Sequence, residues 1–424
     1  MLLTPISAVK RRTKAPQAAA LLAAACQLVQ QGGLAALALR PLAQALGVSV
    51  TVLSHHYGSR AQVLSAICHS GQQADQAWQA RWRTALAPLP APLPAALAAN
   101  LVESLFDELA DSRAAVTLLQ LEVMHGSRAD PAWQPGWQVW RHDLEQFWND
   151  FGCQLGLAGE LLDSGWWLGY IMTELAYGLT LAGDSSYRML RRLCLARLFA
   201  GGVAGPQAAD TLWFAHLQQS SFAPVAGPPV LASNSLQPRT APWQQAAARC
   251  CGELLAERGA SALTHRAVAS AIGIPHTSLS YRYPTQHALV LLGLDFVSAH
   301  ILAAVQADSL PELERRRQAG DGHKLDLARA SFALALAALR MPELQRRNAA
   351  MRGWRGSNLI QVLEKTLPGR QPIDRLSAHV VSLGLLGVGN MAAAGPASEA
   401  ALAAAFAAAL RWLERNSPSL THSA

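Results

Sequence analysis

Apolar residues along this 424-residue chain recur at three- and four-residue spacing, and alanine and leucine supply most of them. That period turns one face of a helix toward a core, and the scarcity of β-branched runs removes the competing strand pattern. The chain therefore reads as all-α. Helices are predicted over Gln17–Gln31, Arg40–Leu46, Val50–Tyr57, Arg60–Leu86, Pro92–Ala110, Ser112–His125, Trp137–Phe151, Leu161–Leu181 and Ser186–Ala200, with a short segment at Gln207–Gln218. Ser220–Ala241, rich in Pro, Ser and Gly, interrupts the pattern as a linker. The period resumes after it, and later helices are predicted over Leu325–Leu339, Asn358–Thr366, Leu376–Ala394 and Glu399–Arg415.

The stretch Leu37–Arg60 has the grammar of two short helices joined by a tight turn. Leu42, Ala43 and Leu46 share one face of the first, and Gly47 ends it where a residue tolerant of positive φ is needed. Ser49 is a natural N-cap for Val50–Tyr57, whose Val52, Leu53 and Tyr57 can pack inward while Val50, Thr51, Ser54, His55 and His56 face outward.

This unit occurs twice. At a constant offset of 226 residues and without a gap, Pro16–Val63 lies over Pro242–Leu289. Gly33, Leu37, Arg40, Ala43 and Gly47 fall on Gly259, Leu263, Arg266, Ala269 and Gly273. Thr51, Leu53, Ser54 and Tyr57 fall on Thr277, Leu279, Ser280 and Tyr283. A turn glycine, a helix-start arginine and a packing leucine in one register predict an internal duplication.

Both copies resemble the N-terminal DNA-binding domain of TetR/AcrR-family transcriptional regulators. The first supplies Leu37, Arg40, Leu42, Ala43, Leu46, Gly47, Val48, Ser49, Leu53, His56, Tyr57, Ser59 and Arg60 to the family pattern. The second supplies Leu263, Thr264, Arg266, Val268, Ala269, Ile272, Gly273, Ile274, Leu279, Tyr283 and Thr285. Ser54 and Ser280 stand where the family usually carries a phosphate-touching tyrosine, Pro275 replaces the capping serine, and Gln286 replaces a basic residue. The resemblance implies two three-helix heads, at 11–68 and 242–294, and two helical bodies, at 69–219 and 295–416, around the linker at 220–241. It also implies that the last two helices of each body form a bundle with those of the other, giving an intramolecular pseudo-dimer. A homodimer of duplicated chains, with four heads, is the other arrangement.

Charge sharpens this picture. From Met1 to Ala74 no acidic residue opposes Lys10, Arg11, Arg12, Lys14, Arg40 and Arg60, while the whole chain carries only +7. Gln237–Leu292 is also basic, with Arg239, Arg249, Arg258, Arg266 and Arg282 against Glu253 and Glu257. Basic heads suit phosphate neutralisation and counterion release. The expected partner is a double-stranded DNA operator, read by Val50–Tyr57 and His276–Tyr283. Its contacts are expected from Arg40, Ser49, Val50, Thr51, Ser54, His55, His56, Tyr57 and Arg60 in one head. The other head offers Thr264, Arg266, His276, Thr277, Ser278, Ser280, Tyr281, Arg282 and Tyr283. Because the outward residues differ, two unlike half-sites are expected. The Met1–Lys14 arm, ending in KRRTK and lacking a secretory h-region, reads as a minor-groove or phosphate contact, or as a solubilising tail.

The first body concentrates Trp133, Trp137, Trp140, Trp148, Trp166, Trp167 and Tyr170. Such a cluster reads either as a pocket for a small apolar or aromatic effector or as core filling. No cofactor, metal site or catalytic constellation is expected, because the six cysteines lack zinc-ligand spacing and no nucleophile–base arrangement is visible. Leu376–Ser398 lacks Asp, Glu, Lys and Arg, but its four glycines, His379 and Asn390 favour a packed helix over a membrane span. The sequence thus predicts a cytoplasmic, bacterial, ligand-responsive repressor, nucleoid-associated when bound to DNA. The alternative is a small-molecule-binding or interaction protein of the same fold that has lost operator binding.

Overall fold

The computed structural model describes residues 17–201, 207–222, 241–305, 326–367, 372–392 and 396–415. The arm at 1–14 and most of the linker lie outside these. Among the described residues the fold is all-α, with no strand. The first half holds α1 Ala18–Gly32, α2 Leu39–Ala45, α3 Val50–Tyr57, α4 Arg60–Leu86, α5 Ala95–Ala110, α6 Ala114–Gly126, α7 Gln134–Gln154, α8 Gly159–Asp163, α9 Trp166–Leu181, α10 Ser185–Ala200 and α11 Ala209–Ser220. The second holds α12 Pro242–Arg258, α13 His265–Ile272, α14 His276–Arg282, α15 Gln286–Val305, α16 Leu327–Ala337, α17 Gln345–Gly353, α18 Ile360–Thr366, α19 Arg375–Met391 and α20 Pro396–Arg415.

One predicted helix is divided and helix α17 was not predicted. The single helix expected over Leu161–Leu181 is split into α8 and α9, because Gly165 takes the left-handed conformation at φ 72°. Helix α17 had no apolar stripe to announce it, since its buried residues are Asn348, Arg352 and Gly353.

Two hydrophobic cores organise the molecule. The larger runs through the first head and its body and takes in Leu363, Leu376, Val381 and Trp412 from the second half. The smaller is built from α12–α15. Helix α16 lies between them: Phe332, Ala335 and Leu336 join the larger core, while Ala330, Ala333, Leu334 and Ala337 join the smaller. A helix buried on both faces has no need of a polar stripe, which explains its run of Ala, Leu and Phe.

The halves meet chiefly where α9 packs on α19. The approach is close enough that a Cβ at Gly169 or Gly387 would strike the opposing backbone. Buried polar groups cross the same seam. Glu174 pairs with Arg352, both fully buried, and Thr173 Oγ1 donates to the Leu383 carbonyl at 2.9 Å. Arg197 donates to Asp374 at 2.6 Å and to Ser377 Oγ at 2.9 Å. Helix α20 packs on α19, α8 and α9, whereas α10 spends its other face on α5. No described helix is long and apolar enough to cross a membrane.

Candidate DNA-binding interface

Each head is built from a short list of local instructions. In the first, Leu21, Ala24, Ala25 and Val29 of α1 are buried together with Leu37, Leu42, Ala43 and Leu53. Gly47 turns the chain at φ 67°, a conformation that costs a residue with a Cβ. Ser49 Oγ then accepts the Val52 N–H at 3.1 Å, satisfying one of the donors left open at the start of α3. Leu53, wholly buried, anchors α3 on the core; that burial is worth about 1.5–3 kcal/mol. Ser59 and Gln62 exchange a capping box that starts α4, the helix that carries the head into the body.

The second head repeats the element order, with α12, a 3-10 turn at Ala260–Ala262, α13, α14 and α15 in place of α1, the turn at Leu34–Ala36, α2, α3 and α4. Gly273 turns at φ 70°, and Leu279 is wholly buried. Its caps differ. Thr264 Oγ1 accepts the Ala267 N–H at 3.1 Å to start α13, whereas Pro275 begins α14 with no side-chain hydrogen bond. His265 Nε2 lies 2.5 Å from the Tyr283 carbonyl oxygen and ties the start of α13 to the end of α14.

The predicted contact residues distribute as follows. Arg40, Val50, Thr51, His55 and His56 are exposed, and Ser49, Ser54 and Tyr57 are half-buried. Tyr57 meets His56 edge-on at 4.5 Å, and burial raises its hydroxyl pKa. In the other head Thr264, Arg266, His276, Thr277, Ser278 and Arg282 are exposed, Ser280 and Tyr283 are half-buried, and Tyr281 is 93% exposed. Tyr283 closes α14 as its cap instead of lying within it. Arg60 is exposed too, and it pairs with Asp130 of the first body at 2.7 Å. Seventy residues separate these partners, so no local pattern could have linked them.

Residues 21–67 match the family model described as bacterial regulatory proteins, tetR family. The matched span runs from within α1 to the first turns of α4, so the first head is similar to the DNA-binding domain of that family, which supports a DNA-binding transcription regulator. No curated protein matches the chain.

The body aromatics sit in packed surroundings. Trp140 Nε1 donates to Asp75 at 2.7 Å, Trp167 Nε1 to the Trp148 carbonyl at 2.9 Å, and Trp166 stacks on Trp412 at 6.5 Å. Trp137 meets Trp140 edge-on, and Tyr170 stacks on both Trp166 and Trp167. Of the seven, Trp133 lines a cavity, one of about 450 Å³ shared with the heads. Among the described residues no group of three or more His, Cys, Asp or Glu is placed to hold a metal ion. The buried Cys26, Cys68, Cys194 and Cys251 have their thiol pKa values raised by desolvation, which suits packing and not nucleophilic use.

Proposed function

We propose that the chain is a tandem TetR-like repressor in which two duplicated units act as an intramolecular pseudo-dimer on one asymmetric, double-stranded operator. The observation that carries this reading is the second head, which has the same element order, turn glycine and buried leucine as the matched head but a different outward face. Val50–Tyr57 and His276–Arg282 are the recognition helices, entering successive major grooves about 34 Å apart. Arg40 and Arg266 reach a guanine edge or a phosphate, and Thr51 and Thr277 anchor phosphates. The packing of α9 on α19, with the buried pairs Glu174–Arg352 from α9 to α17 and Arg197–Asp374 from α10 to the start of α19, supports a fixed pairing of the two bodies. A small-molecule effector releases the protein from DNA. The working location is the bacterial cytoplasm, on the nucleoid when bound.

The test is selection of bound fragments from the source genome with the purified full chain, followed by footprinting at fixed salt. Protection of two unlike halves one helical turn apart is expected. A palindromic site occupied by two chains would replace the pseudo-dimer by a four-headed homodimer, and absence of enrichment would leave a ligand-binding or interaction protein.

A further inference from the structure

The cavity of about 450 Å³ lies where the two heads meet. The 3-10 turns Leu34–Ala36 and Ala260–Ala262, one from each head, contact each other there, and the end of α6 with one face of α16 completes the wall. Its volume falls within the range of about 300–1,000 Å³ usual for small-molecule sites.

The lining has one charge in excess. Arg60, Arg258 and Arg340 face Glu122 and Asp130. Asp130 is held by Arg60, and Glu122 by Arg340. Arg258 has no ion-pair partner among the described residues. One acceptor is also open. His125 lines the cavity fully buried, and its Nδ1 sits 3.0 Å from Asn390 Oδ1; with the amide in this orientation the oxygen accepts and the ring proton is assigned to Nδ1. Nε2 is left as a buried acceptor without a partner. Burial, aided by the Arg329 charge, pushes the ring pKa down to about 3 and keeps it neutral. Leu34, Leu37, Trp133 and Leu336 supply apolar wall.

We infer that this cavity binds a small organic carboxylate with an apolar body, its acid group on Arg258 and a hydroxyl or amine donor toward His125. The inference rests on the reading of the chain as a two-headed regulator, because a ligand held here touches both heads and so couples to their spacing.

The probes are 4-hydroxyphenylacetate, benzoate and octanoate, titrated calorimetrically into the full chain, with 4-hydroxyphenylacetamide as the uncharged control. At least one carboxylate should bind, with affinity falling roughly tenfold or more for the amide, for Arg258→Ala and for Ala129→Trp, which blocks the exposed rim. No binding by any of the three at millimolar concentration, or binding that survives either substitution undiminished, overturns the site. Footprinting of the ligand-free chain separates the two readings. Operator protection without carboxylate uptake removes this site alone; uptake without protection removes the regulator reading and leaves the site.

Discussion

The two heads follow one plan and are held in different ways. The first shares a core with both bodies: its Leu21, Val29 and Leu53 belong to the same cluster as Trp412 and Leu376. The second makes its own core, joined to the rest largely through α16. The first also has a side-chain hydrogen bond capping α3, and α14 of the second has none. Local turn chemistry is therefore enough to specify the head twice over, while its attachment is set by which helix the remaining chain offers it. The second head meets the bodies mainly through one helix, α16, whereas the first is continuous with them through its whole core.

The largest expected effect tests that difference directly. Glu174→Ala leaves Arg352 charged and buried beside His379, at a cost of about 3–5 kcal/mol. Hydrogen exchange should speed up through α1, α4, α9 and α19, while α12–α14 keep their protection. Equal loss in both heads would make the two cores one cooperative unit and end the comparison.

The seam should also respond to acid. His125 and His379 are both buried and neutral: desolvation, with the Arg329 charge for the first and the Arg352 charge for the second, lowers their pKa values. The unfolded chain takes up protons on these rings below about pH 6.5, where the folded chain does not. Stability is then fully present above about pH 6.5 and is lost as the pH falls toward 3, the value to which His125 is pushed. Urea midpoints across this window should fall with pH, and less steeply for His125→Phe. A flat profile would mean that the buried rings are reached by water.

Much of this was legible in the sequence, and the limits have physical causes. The bounds Val50–Tyr57 and Arg60–Leu86 agree with the structure, because Ser49, Gly58 and Ser59 act within one turn of the backbone they cap. The break at Gly165 was missed because Leu161 and Leu162 before the short Asp163–Ser164–Gly165 stretch and Trp166 and Trp167 after it read as one apolar run. The role of Arg352 was invisible, because its partner Glu174 lies 178 residues away. At the interface, outward side chains were readable from helix phase, but the pairing of Arg60 with Asp130 and the cavity between the heads were not. Both are made by segments that meet only in the folded chain.

On DNA the comparison predicts unequal half-sites. Arg40→Ala should weaken binding by about 1–3 kcal/mol with relaxed preference at one position of one half, and Arg266→Ala should do so at one position of the other. Quantitative footprinting of both variants reads this. If the two substitutions relax the same position, the heads read equivalent half-sites and the operator is symmetric. If neither changes the binding curve, the helix-turn-helix units do not carry the recognition.

The smallest effect concerns the caps. Ser49→Ala removes the acceptor for the Val52 N–H and should cost the first head about 1 kcal/mol. Pro275→Ala removes no side-chain hydrogen bond and acts only by loosening the unfolded chain, worth about 0.4–1 kcal/mol. The two are distinguished by where the loss falls. In the first head it should lower the whole larger core's denaturation midpoint, since α3 packs on a cluster continuous with both bodies; in the second it should stay within α12–α15. Site-resolved exchange at Leu53 and Leu279 measures both. A loss at Leu279 that spreads to α9 and α19 would show that α16 transmits strain between the cores, and that the independence of the second head is smaller than its separate core implies.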